Sequence, residues 1–270
     1  MKDIADLHRK AREVKRQLDE HIVITGAGTG IGRAIALRMA NEGAKLSLLA
    51  RRVDRLEEVA EEIRADGGEA QAIYCDIRSK EVVSSSFSKA IQTFGPLRAL
   101  VANSGIGGPN IVGEEDRFAE LVQTNLVGTY QCLRAAQQHL IEDDNTRSLI
   151  MISSCLARFG VPGYTGYCAS KAGLLGLTRA LALEVAVDRI QVNSICPGWV
   201  DTQMARDGIQ GMATAMGISV EEAHAEAMKA VPLGRMSKPE DVAGMVAWLL
   251  SKDGAGVTGQ GLDINGGSWM

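Results

Sequence analysis

Short apolar runs alternate along most of this chain with stretches whose apolar residues recur at helical spacing, and the two patterns predict strand and helix in turn. The apolar start of the stretch from His21 to Gly43 predicts a strand, followed by a glycine-rich turn and a helix ending near Gly43. Further strands are predicted over residues 45–50, 70–75, 97–102, 149–152, 190–195 and 261–264. Helices are predicted over residues 53–65, 79–94 and 115–140, from the region of Tyr167 to about Val187, and over 239–250. This alternation predicts an α/β fold with a doubly wound parallel sheet. Two stretches stand apart from it. In residues 1–20, Ile4, Leu7, Ala11, Val14 and Leu18 make one narrow apolar stripe, a helical extension that either packs on its own domain or meets another subunit. Residues 203–231 are rich in methionine and alanine, and Ser219 to Glu222 reads as a capping box. That amphipathic insertion is either a lid beside the ligand crevice, the favoured reading, or a packed helix pair. No linker or repeat interrupts residues 21–270, which are expected to form one domain.

In a doubly wound sheet, ligands lie at the carboxyl ends of the strands. Gly26, Asp76, Asn103, Ser154 and Pro197 each follow a predicted strand end, so they converge on one crevice. Glycines fall at 26, 28, 30 and 32. Without Cβ atoms they let the backbone approach a pyrophosphate at a helix N-terminus, where free N–H groups favour an anion. The spacing departs from Gly-x-Gly-x-x-Gly, because the third place falls on Ile31 or Arg33, and fits Thr25-Gly26-x-x-x-Gly30-x-Gly32. Gly26, Thr29, Gly30, Ile31 and Gly32 are the expected contacts. An NAD fold would place a carboxylate after the second strand, where this chain has Ala50, Arg51 and Arg52. An arginine there can pair with a 2′-phosphate, which predicts NADP(H) over NAD(H), with Arg51 the stronger candidate and Arg52 either a second contact or solvated.

Tyr167 and Lys171, four apart, share one face of a predicted helix. An ammonium beside a phenol favours the phenolate and lowers its pKa from about 10. Ser154 stands thirteen residues earlier, at the end of a strand, where its hydroxyl can meet a substrate carbonyl. Together they form a proton-transfer site that lacks only a hydride donor or acceptor. Asn125, inside the predicted helix over 115–140, either kinks that helix or holds a water near the site. Cys155, Phe159, Tyr164, Trp199 and Met204 are expected to line a mostly apolar substrate pocket, while Arg158 either reaches a substrate carboxylate or points to solvent.

Composition acts mainly by exclusion. A chain of 270 residues with net charge −4 and pI near 5.7 is not built to bind nucleic acid or an anionic membrane. Cys75, Cys132, Cys155, Cys168 and Cys196 include no Cys-x-x-Cys pair, and their odd number without a secretory signal predicts reduced thiols in the cytoplasm. Four scattered histidines match no metal-ligand spacing, so no zinc is expected. No apolar run approaches the roughly 20 residues of a membrane span.

With these pieces in order, the chain resembles the short-chain dehydrogenase/reductase family from about His21 to Gly267. Thr25-Gly26-x-x-x-Gly30-x-Gly32, Asp76, Asn125, Ser154, Tyr167-x-x-x-Lys171 and Pro197-Gly198 all occur in the family's order and spacing. The resemblance implies a Rossmann-type sheet of about seven parallel strands with helices on both faces. It implies a catalytic tetrad of Asn125, Ser154, Tyr167 and Lys171, with Asp76 on the adenine, Lys171 on the nicotinamide ribose and Thr202 near the carboxamide. Ile77, Asn103, Tyr167, Pro197, Gly198 and Val200 complete the cofactor contacts it implies. A homotetramer is the usual family assembly. Where Asn-Asn-Ala-Gly is usual, this chain has Ala102-Asn103-Ser104-Gly105, so the hydrogen bonds of one asparagine must be replaced or lost. The Ala50-Arg51 pair, the run from Cys75 to Ser79 and residues 199–231 look most like NADPH-dependent ketoreductases of the acyl-carrier and polyketide type. The activity implied is reversible hydride transfer between NADP(H) and a carbonyl or secondary alcohol. An NAD-dependent alcohol or hydroxy-acid dehydrogenase and a non-catalytic cofactor-sensing module are the alternatives.

Overall fold

A computed structural model describes residues 19–143 and 145–270, so all but the last two residues of the predicted N-terminal helix lie outside the described residues. Among the described residues, seven parallel strands form one sheet: β1 (His21–Thr25), β2 (Lys45–Ala50), β3 (Glu69–Tyr74), β4 (Ala99–Ala102), β5 (Arg147–Ile152), β6 (Ile190–Pro197) and β7 (Gly261–Ile264). Their order is β3-β2-β1-β4-β5-β6-β7, which reverses direction between β1 and β4 and opens the ligand crevice there. The helices are α1 (Gly30–Asn41), α2 (Val53–Ala65), α3 (Lys80–Phe94), α4 (Phe118–Val122), α5 (Thr129–Gln137), α6 (Thr165–Glu184), α7 (Gln203–Met216), α8 (Val220–Lys229) and α9 (Pro239–Leu249).

Strand β1 shows why the run HIVIT must be apolar throughout. Successive side chains point to opposite faces, and both faces are covered. Ile22 and Ile24 pack with Ile35 and Met39 of α1, Leu56 and Ile63 of α2, and Val246 of α9. Val23 faces the other way, into a second core with Phe87 of α3, Leu133 of α5 and Leu174 of α6. The sheet thus holds its strand tips rigidly between two helical layers.

Three local outcomes differ from the pattern or resolve it. Strand β4 starts at Ala99, and Leu97 makes only an isolated bridge to Leu140. The helix expected over 115–140 is α4, a π-helical turn (Gln123–Gly128) and α5. Asn125, fully buried in that turn, sends its side chain sideways rather than along the helix, while the Thr129 hydroxyl donates to the Asn125 carbonyl at 2.8 Å. At the β4 tip, Ala102 packs into the core and pairs with Met151. The tie between the tips of β1 and β4 runs through the two residues that follow. Thr25 Oγ1 accepts from the N–H groups of Asn103 and Ser104 at 3.0 Å, and Asn103 Nδ2 donates to the carbonyls of Thr25 and Gly26 at 3.1 Å.

Helices α7 and α8 have a core of their own, with Ile209, Ala213, Ala223 and Met228 at its centre. The predicted capping box is present, Ser219 N–H donating to Glu222 Oε2 at 2.9 Å and Glu222 N–H to Ser219 Oγ at 3.1 Å. The insertion leaves and re-enters the fold at one place, where Asp201 N–H donates to Ser237 O at 2.9 Å and Ser237 N–H to Trp199 O at 2.8 Å.

Candidate active site

The tips of β4 and β5 and the first two turns of α6 bring Ser154, Tyr167 and Lys171 together. Ser154 leaves β5 as the N-cap of a short 3-10 turn, its Oγ accepting from Leu156 N–H at 3.1 Å. That bond leaves the hydroxyl proton free to point into the crevice. Tyr167, half-buried, brings its hydroxyl into hydrogen-bonding reach of the Ser154 side chain. One turn on, Lys171 is buried, donates from Nζ to Ile152 O at 2.9 Å and lies 5.7 Å from the Tyr167 ring centroid. Its backbone carbonyl accepts from Ser153 Oγ at 2.9 Å, which locks α6 onto the end of β5.

Electrostatics in this site run against the expected phenolate. Burial pushes the Tyr167 phenol up to about 12, outweighing the hydrogen bond with Ser154, which pulls the other way. Burial also brings the Lys171 ammonium down to about 8. Among the protein's own groups, Tyr167 is therefore an acid that keeps its proton at neutral pH, and Lys171 is the group that titrates near it.

Asn125 spends its side chain on structure. Its Oδ1 accepts from Ile106 N–H at 2.8 Å, and its Nδ2 donates to Ile106 O at 3.0 Å and to Ser170 Oγ at 3.1 Å. It ties the loop after β4 to α6 between Tyr167 and Lys171. Gly105 in that loop sits close against them, since a Cβ there would stand 3.1 Å from Asn125 Oδ1 and 3.4 Å from Lys171 Nζ.

On the other side of the switch point, α1 begins at Gly30 with no side-chain cap from Thr29 and no acidic residue in its first turn. Its leading N–H groups and the positive end of its dipole are left for an anion. Gly26 and Gly30 have φ of 66° and 53°, and a Cβ on Gly32 would lie 2.1 Å from Gly26 O. No other residue fits at Gly32. A Cβ on Gly30 would be 3.1 Å from Thr202 Cγ2, so the start of α7 stands directly over the turn. Arg51 and Arg52 are exposed at the end of β2. Beside them Arg78, which sequence reasoning did not single out, grips Asp76, donating from Nε to Oδ1 at 3.0 Å and from Nη2 to Oδ2 at 2.6 Å. That grip, with Arg51 nearby, holds the Asp76 carboxyl below the usual carboxylate range. With the Asp76 carboxylate paired to Arg78 and with Arg51 and Arg52 exposed, this edge fits a phosphate-bearing dinucleotide.

A family model described as enoyl-(acyl carrier protein) reductase matches residues 26–268. The 3-oxoacyl-(acyl-carrier-protein) reductase FabG of Staphylococcus aureus is 32% identical over 257 residues, covering 94% of this chain and all of that protein. The chain belongs to the short-chain dehydrogenase/reductase family. Among solved structures, a variant of the actinorhodin polyketide ketoreductase with NADPH superposes with a TM-score of 0.88 at 34% identity, covering 92% of this chain and 97% of that one. A dehydrogenase/reductase from Sinorhizobium meliloti superposes with a TM-score of 0.85 at 32% identity, covering 97% of this chain and all of that one.

The remaining positions expected from sequence are distributed unevenly around this dehydrogenase/reductase crevice. Ile77 is buried against the π-helical turn, where a Cβ on Gly128 would meet its Cδ1 at 2.9 Å. Pro197 ends β6, Gly198 is pressed against Asn265, and Val200 is buried at the base of the insertion. Cys155 is buried beside Ser154, and burial pushes its thiol up. The Phe159 ring stacks on Trp269 with centroids 5.9 Å apart. Trp199 is partly buried and packs against the α7–α8 core. Met204 covers the loop after β4, where a Cβ on Gly107 would be 2.9 Å from its sulfur. Tyr164 is half-buried at the N-cap of α6. Arg158 turns to β7, donating to Gly261 O at 2.7 Å and Asp263 Oδ2 at 3.0 Å, and takes neither of the two roles open to it in the sequence. Among the described residues no group of His, Cys, Asp and Glu is placed to hold a metal ion, and no helix is long and apolar enough to cross a membrane.

Proposed function

We propose that this protein reduces a ketone to a secondary alcohol with NADPH. The observation that carries the reading is the Ser154–Tyr167 hydroxyl pair, two donors side by side at the sheet tips, with Lys171 behind them. NADPH, when bound, supplies the hydride. Ser154 donates a hydrogen bond to the carbonyl oxygen and Tyr167 donates the proton that turns the developing alkoxide into the alcohol. A phenol held near pKa 12 is the right form for that step, because it arrives protonated. Lys171 stabilises the phenolate left behind until solvent reprotonates it. Asn125 acts as a positioning residue, its side chain holding α6 against the loop after β4.

The residues that would hold the cofactor are the uncapped start of α1 with Gly26, Thr29, Gly30, Ile31 and Gly32 for the pyrophosphate, and Arg51 with Arg52 for the 2′-phosphate. Asp76 and Ile77 lie toward the adenine. Asn103, Lys171, Pro197, Gly198, Val200 and Thr202 lie toward the nicotinamide end. The named relatives support the substrate class: one is a 3-oxoacyl reductase, and the polyketide ketoreductase was solved with NADPH. The α7–α8 insertion acts as the lid, hinged at Trp199–Asp201 and Ser237. The five free thiols support a cytoplasmic setting. A homotetramer would cover the open edge of β7 and the exposed Leu183 and Val187, and light scattering would give its mass.

Tyr167→Phe tests the reading. Oxidation of NADPH by ethyl acetoacetate, followed at the nicotinamide absorbance, should fall by at least about 100-fold, the lower end of the range for a lost general acid. NADPH affinity by fluorescence titration should hold within about twofold, since only a hydroxyl is removed. Turnover retained in the variant sinks the assignment. Tight NADPH binding with no turnover by the unaltered protein, across cyclic ketones, β-ketoesters and acyl thioesters, favours a cofactor-sensing role instead.

A further inference from the structure

Helix α6 has to place Tyr167 within its first turn, yet it starts without a cap of its own. Its N-cap residue, Tyr164, makes no side-chain hydrogen bond to the helix. The missing acceptor comes from far along the chain. Asn110 Oδ1 accepts from Gly166 N–H at 2.8 Å and from Thr165 Oγ1 at 3.1 Å, and Asn110 N–H donates to Gly163 O at 2.9 Å. Its amide nitrogen looks the other way, donating from Nδ2 to Asp116 Oδ1 at 3.1 Å. The same carboxylate oxygen accepts from Phe118 N–H at 2.9 Å, at the start of α4. One side-chain pair therefore caps two helices at once. Helix α4 runs into the turn that carries Asn125, and α6 carries Tyr167 and Lys171.

Burial sets this pair apart from its loop. Asn110 is 8% exposed, while the adjoining apolar residues Ile111 and Val112 are 66% and 91% exposed. A polar side chain turned inward just before outward apolar residues is held by its partners and not by hydrophobicity. The two helices meet where the pair joins them. A Cβ on Gly166, one residue before Tyr167, would lie 3.0 Å from both Phe118 Cα and Leu121 Cδ1. The backbone contact leaves no slack there, so a shift at the start of α6 passes directly to the phenol.

We propose that Asn110, working through Asp116, is a positioning residue for Tyr167: the pair clamps the N-termini of α4 and α6 and so fixes the phenol relative to Ser154 and the loop after β4. The proposal rests on the reductase reading for its kinetic consequence but not for its geometry. Removing the clamp frees the first turn of α6 without touching the glycine turn or the arginine edge.

The experiment compares the unaltered protein, Asn110→Ala, Asn110→Asp and the exchanged pair Asn110→Asp with Asp116→Asn. In Asn110→Ala, kcat for ethyl acetoacetate reduction should fall by about ten- to a hundredfold, the penalty of a displaced catalytic group, while KM for NADPH stays within about twofold. Asn110→Asp keeps the acceptor for Gly166 but sets two carboxylates face to face, and should fall by a similar factor. The exchanged pair restores one donor and both caps, and should recover kcat to within about threefold of the unaltered protein. Hydrogen exchange at the Gly166 amide should quicken by at least about tenfold in Asn110→Ala and return to the original rate in the exchanged pair. Unchanged Gly166 exchange in Asn110→Ala, or failure of the exchanged pair to recover while remaining folded, overturns the proposal. A kcat and NADPH KM that worsen together would assign Asn110 a general structural role and overturn it as well. Should the unaltered protein fail to reduce ethyl acetoacetate, the reductase reading is at fault, and the exchange rates still decide the clamp.

Discussion

Acid should weaken this fold through His21, the first residue of β1. The imidazole is 3% exposed and sits in a closed chain of hydrogen bonds: Nδ1 to Gly95 O at 2.8 Å, Nε2 to Ser47 Oγ at 2.8 Å, and Gln71 Nε2 donating to the same Ser47 Oγ at 2.8 Å. Since Gly95 O can only accept, the neutral ring carries its proton on Nδ1 and Ser47 donates to Nε2. A second proton has no acceptor without breaking that chain. Burial accordingly lowers the His21 pKa from 6.5 to about 4, with Lys45 pushing in the same direction and the bond to Gly95 opposing it. The unfolded chain binds this proton and the folded one refuses it, so the stabilisation is whole above the unfolded pKa and is lost as pH falls toward about 4. Between pH 7.5 and 5.0 the linkage amounts to about 2 kcal/mol, and its ceiling for the full shift is about 3.4 kcal/mol at about 1.36 kcal/mol per pKa unit. Urea unfolding at the two pH values, run on the parent and on His21→Gln, should show the parent losing about 2 kcal/mol more than the variant. Equal losses in the two proteins, or an imidazole proton resonance for His21 that titrates near pH 6.5, would refute the reasoning.

Three further outcomes follow from the site. Gly32→Ala places a Cβ 2.1 Å from Gly26 O, so the turn must open and NADPH affinity should drop by at least about tenfold by fluorescence titration, the cost of about one lost charge-assisted hydrogen bond; parent-like affinity would mean the cofactor lies elsewhere. Arg51→Asp should weaken NADPH by about ten- to a hundredfold and leave NADH little changed, and equal effects on both would remove Arg51 from the 2′-phosphate. With Lys171 at about 8, its ammonium is present below that pH and lost above it, so kcat/KM for reduction should decline as pH rises through about 8. A profile flat to pH 10 would exclude the lysine from the acid step.

The order of strands and helices was legible because it is written locally. A strand covered on both faces must be apolar at every position, and β1 obeys that with Ile22, Val23 and Ile24. The glycine turn, Ser154, Tyr167 and Lys171 were legible for a related reason. Each follows a strand end or sits at a fixed helical offset, and the parallel topology alone brings such places to one crevice. What no window of residues could supply was the identity of distant partners. Asn125 looked like a break in a helix and sits in its π-helical turn, but its cross-link to Ile106 and Ser170 was not legible; nor was the packing of Trp199 against the core of α7 and α8. The Tyr167 phenol was expected to be pulled toward phenolate by its neighbour four residues on, but the desolvation imposed by the whole fold pushes it the other way. Periodicity and motif spacing thus determined the strands, most of the helices and the meeting of Ser154, Tyr167 and Lys171 at one crevice. Tertiary packing decided their protonation, the arginine grip on Asp76 and the cap that Asn110 lends to α6 across 56 residues of chain, because burial and hydrogen bonding depend on what comes near in space and not on what comes next in sequence.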